Sequence, residues 1–261
     1  HMWMPDVYEG APTTVTNFMT TGLKAAAFAA FMRVFMGFGF AEDVTSALGH
    51  SLHNVMWVTA VLTMFLGNVI ALTQRNIKRM LAYSSIAHSG YIVVGFIAGG
   101  HSEYGYTSIV VYLVAYVIMN LGAFAIVSLL GERGDRNTDV QDYAGLGFRH
   151  PLLGFGMAVF MFSMAGIPPT VGFAGKYLIF SSAVAAGETT LAVLAVLCSA
   201  ISAYYYLRVI VYMYMKEPVR ESRVAFAIPV TLVIAAATIA TLGFGLFPSM
   251  LIHAAKKAAS I

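Results

Sequence analysis

The sequence predicts an all-α fold, a polytopic transmembrane helix bundle of about seven spans, on three observations. Charged residues make up 10% of the 261 positions and hydrophobic ones 59%, whereas a soluble domain carries about 25% charge. The charges are also clumped, leaving uncharged runs of 24 residues (Val224–Phe247), 28 (Tyr104–Gly131), 23 (Met80–Ser102) and 26 (His150–Gly175). Each exceeds the roughly 20 apolar residues that cross a bilayer core. The third observation is a Gly-Ile-Pro-Pro stretch, Gly166–Pro169, inside the longest apolar segment.

The first span is expected over Thr13–Phe38, the second over Leu52–Thr73 and the third over Ile77–Gly99. The fourth follows at Tyr106–Gly131. The fifth, His150–Ala186, is too long for one straight crossing, and the two prolines remove backbone donors, so a discontinuous helix is expected there. Thr189–Met215 and Val224–Phe247 supply the sixth and seventh. A short C-terminal piece with Lys256 and Lys257 is expected at the membrane interface. Residues 1–261 read as a single transmembrane domain. The first residues carry no basic n-region, so no cleaved leader is expected. Cys198 stands alone in an apolar run and reads as a small core hydrophobe.

With the N-terminus on one side and loops alternating, that side collects Arg75, Lys78, Arg79, Arg133, Arg136, Arg149, Lys216, Arg220 and Arg223. The opposite side holds Arg33, Lys256 and Lys257. The positive-inside rule makes the first side, and the N-terminus, cytoplasmic. Ahead of the first span, Met2–Thr14 reads as a proline-stiffened acidic loop, in which Asp6 and Glu9 favour the positive N-terminal end of the following helix.

Three cations are left inside the membrane: Lys24, Lys176 and Arg208. All twelve acids fall in loops or at membrane edges. A lysine at a helix centre costs about 2.5–3.5 kcal/mol on insertion scales, so it persists where it faces protein interior or a water-filled path. A lysine taken out of water also gives up its proton more readily, which suits loading and release near neutral pH. Lys24 lies about 16 Å along the first span, near mid-depth. Lys176 follows the Pro-Pro break, and broken helices in membranes line cavities. The competing reading of both is a structural pair with a carboxylate on another chain. Arg208 lies eight residues before Lys216 and can reach the interface by snorkelling.

His88 lies midway along the third span among Ser84, Ser85 and Ser89. Its imidazole suits a proton relay, against the plainer reading of a histidine hydrogen-bonded in place. Asn120 reads as interhelical glue, and Tyr204, Tyr205 and Tyr206 as packing with satisfied hydroxyls. No Gly-rich phosphate loop, no Cys/His cluster for a metal or Fe–S centre and no Ser-His-Asp set stands in a plausible context. An ion path without a redox centre of its own is therefore expected.

Three blocks, "HMWMPDVYEGAPTTVT", "LTQRNIKRMLAYSSIAHSGYIVVG" and "FMFSMAGIPPTVGFAGKYLIF", resemble the antiporter-like subunit N (chain 2) family of respiratory complex I, the proton-pumping NADH:quinone oxidoreductase. The second and third recur more loosely in sister subunits and in cation/proton antiporters. The resemblance implies an antiporter-like fold of two inverted five-helix repeats, each with a discontinuous helix. This chain would supply the last helix of the first repeat, the whole second repeat and a final helix. The family's glutamate and its first broken-helix lysine would fall in the half not represented.

By matching motif, the resemblance gives Lys24 the place of the connecting lysine, Lys176 that of the lysine on the second broken helix, and His88 a place in the midplane relay. It implies an enzyme subunit of a translocase, in which quinone reduction elsewhere is coupled to proton transfer. NAD, FMN, Fe–S clusters and quinone are implied for the whole complex and no cofactor for this chain. Expected partners are the other complex I membrane subunits and the lipid bilayer, with no nucleic acid. The implied location is the bacterial inner membrane rather than a mitochondrial or chloroplast one. The rival readings are a cation/proton antiporter or membrane-bound hydrogenase subunit of the same superfamily, and a structural scaffold without transport.

Overall fold

The computed structural model describes residues 2–37, 47–102, 104–131, 138–218 and 227–259. The described chain is helical, with one isolated β-bridge, Asn76 to Asp139, in place of any strand. The helices are α1 (Met4–Gly10), α2 (Thr13–Phe18), α3 (Lys24–Gly37), α4 (Ala47–Thr73), α5 (Ile77–Ala98) and α6 (Gly105–Leu130). They continue with α7 (Leu146–Arg149), α8 (Pro151–Ala165), α9 (Val171–Ala185), α10 (Thr189–Met215), α11 (Ile228–Leu246) and α12 (Pro248–Ala259). A π-turn, Met19–Leu23, joins α2 to α3, so the three run as one span.

Among the described residues, six helices are long and apolar enough to cross a membrane: Thr13–Phe35, Gly49–Thr73, Ile77–Ala98, Gly105–Leu130, Thr189–Met215 and Ile228–Leu246. The shorter apolar pair α8 and α9 makes the seventh, discontinuous crossing expected from the sequence. Gly166, with φ of 88°, closes α8 in the left-handed region open to glycine. The chain then passes Ile167-Pro-Pro169 and re-enters helix at Val171. At Gly172 a Cβ would stand 1.9 Å from the Ser163 carbonyl oxygen, so only glycine lets the two half-helices approach this closely.

The most buried helices, α5 and α6, sit at the centre of the bundle, whereas the first and last spans are largely uncovered. α5 is started by Asn76, whose side chain accepts from the backbone N–H groups of Lys78 at 2.8 Å and Arg79 at 3.2 Å. Proline opens α8 and stands in the first turn of α11, where a missing N–H costs nothing. One apolar cluster gathers Tyr116, Phe124, Phe160, Tyr205 and Met213, and a second gathers Met64, Tyr91, Ile109, Ile179 and Leu191.

The segment ahead of the first span differs from expectation. Met4–Gly10 is helical, and Asp6 and Glu9 do not serve the N-terminus of the next helix. Both carboxylates accept from the Arg79 guanidinium, at 2.6 and 2.7 Å, and Glu9 also accepts from Asn76 at 3.1 Å. The acids thus clasp α1 to the start of α5. Lys78, counted above among loop cations, is fully buried, and its Nζ donates to the Ala11 carbonyl at 2.6 Å. The elbow between α1 and α2 sets its partner, because Ala11 ends α1 in an extended conformation that takes its carbonyl out of the helical ladder. Arg133, Arg136, Arg220 and Arg223 of the charge census lie outside the described residues. α12 packs on α6 and α11 through Leu251 and Ala255, with Lys256 over the Tyr104 ring at 5.5 Å.

Candidate functional site

The three candidate residues Lys24, His88 and Lys176 come from α3, α5 and α9 and converge on the bundle interior. Lys24 is the first residue after the π-turn, a distortion often found at functional positions. Its Nζ donates to the Ser85 hydroxyl at 2.8 Å and to the Ser85 carbonyl, and it lies 4.4 Å from the Tyr116 ring centre. The Tyr8 hydroxyl approaches the same Ser85 side chain. Thr20 and Thr21 both donate to the Asn17 carbonyl, which the π-turn leaves accessible.

His88 is fully buried and bonded through both ring nitrogens. Nδ1 meets the Tyr112 hydroxyl at 2.6 Å and Nε2 meets the Tyr206 hydroxyl at 3.1 Å. Tyr206 in turn bonds the Ser84 hydroxyl. A continuous chain therefore runs Ser84–Tyr206–His88–Tyr112. A neutral imidazole donates from one nitrogen and accepts at the other. A proton arriving at one side and leaving from the other reverses those roles and shifts it along the chain.

Lys176 is buried where the helix breaks. Its Nζ donates to the carbonyls of Met164 at 2.8 Å and Ala165 at 3.1 Å, and to the Ser199 hydroxyl at 2.8 Å. Those carbonyls are ones the end of α8 leaves without helical partners, and a cation there also opposes the helix dipole. All three ammonium donors are engaged, so no carboxylate is needed to satisfy this lysine. The Tyr91 ring centre lies 5.3 Å from Nζ, and Tyr91 packs edge-on against both Tyr112 and His88. A cavity of about 630 Å³, lined by apolar side chains of α9 and α10, opens beside Lys176 and Ser199.

Several contributors were not singled out from the sequence. Tyr206 was read as packing and is a link in the chain. Tyr112 lies fully buried on α6 as the second hydroxyl partner of His88. Asn68, a polar residue within an apolar span, donates to the Tyr91 hydroxyl at 3.1 Å and accepts from Tyr205 at 2.8 Å. Ser89 donates only to the Ser85 carbonyl, and Asn120 bonds back to Tyr116 in its own helix at 3.0 Å rather than bridging helices. Asn17, like Asn68, does bridge helices, donating to the Leu121 carbonyl at 3.2 Å. Arg208 holds the carbonyls of Leu72 and Gln74 at the end of α4 and so acts as a helix cap. Among the described residues no group of three or more His, Cys, Asp or Glu is placed to hold a metal ion.

A family model described as NADH:quinone oxidoreductase/Mrp antiporter, transmembrane, matches residues 1–202. The chain belongs to this family. Among its relatives, NADH-quinone oxidoreductase subunit N of Trichlorobacter lovleyi is 50% identical over 263 residues, covering 100% of this chain and 52% of the relative. The subunit N of Paramagnetospirillum magneticum is 44% identical over 261 residues, with 100% and 52% covered. The chain thus spans about half the length of these relatives. A chain of respiratory complex I from Thermus thermophilus superposes with a TM-score of 0.82 at 36% identity, over 97% of this chain and 54% of that one. A chain of the Mrp complex from a Dietzia species gives a TM-score of 0.85 at 21% identity, over 100% and 55%, a likeness of fold alone.

Proposed function

We propose that this chain forms part of a proton-translocating membrane subunit of NADH:quinone oxidoreductase, and that Lys24, His88 and Lys176 carry the proton. The observation that carries this reading is His88, bonded on both nitrogens to hydroxyls and lying within electrostatic reach of both lysines. Lys24 exchanges a proton with the Ser84–Tyr206–His88–Tyr112 chain through neighbouring Ser85. Lys176 takes up and releases its proton at the broken helix. Charge on one site raises the cost of charging the next, so loading at one end displaces a proton at the other. Quinone reduction and the redox cofactors belong to other subunits in this reading. The neighbouring membrane subunits are its partners and the bacterial inner membrane its location, with the end bearing Arg75, Arg79 and Arg149 facing the cytoplasm.

The test is replacement of Lys176 by Ala in the assembled complex, reconstituted into sealed vesicles. Proton uptake per NADH oxidised is expected to fall, and an unchanged ratio would remove Lys176 from the path. Dependence of transport on sodium instead would move the chain to the cation/proton antiporters of the same family.

A further inference from the structure

A second polar site lies away from the lysine–histidine path, at the end of the bundle where α4 and α10 meet. A cavity of about 320 Å³ is lined by Arg75, Asp139, Val140, Gln141, Arg208 and Tyr212. Its walls are built rather than incidental. The Val140 N–H donates to the Arg75 carbonyl at 2.9 Å, Ile77 donates to the Thr138 carbonyl at 2.7 Å, and Gly145 donates to the Tyr212 carbonyl at 3.3 Å. The segment after α6 is thereby stitched to both the α4–α5 link and α10.

The charge inside is unbalanced. Arg208 spends its two terminal nitrogens on neutral carbonyls, and its Nε is buried without a hydrogen-bond partner. Arg75 is exposed and makes no ion pair among the described residues. The one carboxylate lining the cavity, Asp139, is turned back into a reciprocal cap with Asp142. Two guanidinium groups against one carboxylate, itself held in a local cap, leave the lining with net positive charge, an arrangement suited to phosphate oxygens.

Position and surroundings specify what carries the phosphate. Tyr212 and Arg208 lie three and seven residues before the end of α10 at Met215, about 4.5 and 10.5 Å from it, a depth near the polar interfacial layer of a bilayer. Val69 on α4 and Leu207 and Val211 on α10 are exposed apolar residues within about two turns of the cavity. We propose that the cavity is a headgroup site for an anionic phospholipid, its phosphodiester held between Arg75 and Arg208 and its acyl chains running along the α4–α10 seam.

The experiment uses the assembled complex in vesicles containing phosphatidylglycerol with a photoreactive group in one acyl chain. Labelled peptides are mapped and normalised to intact complex. Label is expected on the α4 and α10 peptides that contain Val69, Leu207 and Val211, to fall about fivefold in R75Q, and to be largely kept in R75K. Phosphatidylcholine carrying the same photoreactive chain is expected to label these peptides weakly. Equal labelling by the two lipids, or labelling untouched by R75Q, would overturn the proposal. Displacement of the lipid by inorganic phosphate would reassign the cavity to free anions and overturn the lipid occupant.

Discussion

Nε2 of His88 and the hydroxyl of Tyr206 stand 3.1 Å apart, joining α5 to α10 in the middle of the bundle. The same hydroxyl reaches Ser84, one turn back on α5, so Tyr206 ties the histidine to the residue beside Ser85, which holds Lys24. Removing this hydroxyl alone, by Tyr206→Phe, keeps the ring's packing and cuts the chain. Proton transfer is expected to slow by about tenfold or more, a modest share of what a positioned acid–base group supplies. Proton uptake by reconstituted vesicles, compared with assembled complex content, measures it. Uptake equal to wild type would mean that His88 is served by another donor.

Lys176 has two separable tasks, since its ammonium caps α8 as well as holding an exchangeable proton. Lys176→Ala leaves the Met164 and Ala165 carbonyls buried without that donor, at about 1–3 kcal/mol. Lys176→Arg keeps a cation at the helix end but binds its proton permanently. Arginine is therefore expected to restore the thermal stability of the complex and not its proton transfer. Recovery of both would leave Lys176 a purely structural cap.

Gly172→Ala tests the break itself. The added methyl would meet the Ser163 carbonyl at 1.9 Å, and Gly172 N–H already donates to the Ser163 hydroxyl at 3.0 Å. Overpacking of this kind costs about 1–3 kcal/mol. A lowered melting temperature and reduced assembly are expected, together with loss of transport in whatever complex forms.

The clasp between α1 and α5 should matter much less. Arg79 and its two acids are partly exposed, with 30% of the Arg79 side chain open to solvent. Glu9→Gln is expected to cost less than about 1 kcal/mol, an effect that shrinks as salt is added. Asp6→Asn should cost more once Glu9 has been replaced, because the two share one guanidinium. A double-mutant cycle on thermal stability decides this, and strictly additive effects would mean that the acids act separately.

Which parts were legible in the sequence follows from what the membrane hides. Charge-free runs reveal spans because a charge in lipid is costly, and Gly166–Pro169 reveals the break because proline cannot donate. Lys24, His88 and Lys176 stood out for the same reason, as polar exceptions in apolar segments. The rotation of each helix did not, since lipid-facing and protein-facing positions are equally apolar. Nothing in Tyr204-Tyr-Tyr206 says which ring looks inward. In the structure Tyr204 is exposed, while Tyr205 and Tyr206 share a buried face with Ser202, Val209 and Met213, a helical spacing that could have been followed upward from Ser202. The pairings of Arg79 with Asp6 and of Lys78 with Ala11 join residues 73 and 67 positions apart, and no local pattern announces them.

The π-turn at Met19–Leu23 has a mechanical consequence. Such a turn holds one residue more than an α-turn, so rewinding it would rotate every later position of the span by about 100°. Lys24 would be the first to swing, leaving Ser85 and presenting its ammonium to a different wall. Rewinding would thus work as a one-tooth ratchet, giving this single charge a second setting while Phe28 and Phe31, now packed on Phe96, repacked with it. Deleting Gly22 would remove the extra residue and lock Lys24 in the setting seen here, and a complex that still pumped normally would show that transport does not depend on switching between settings.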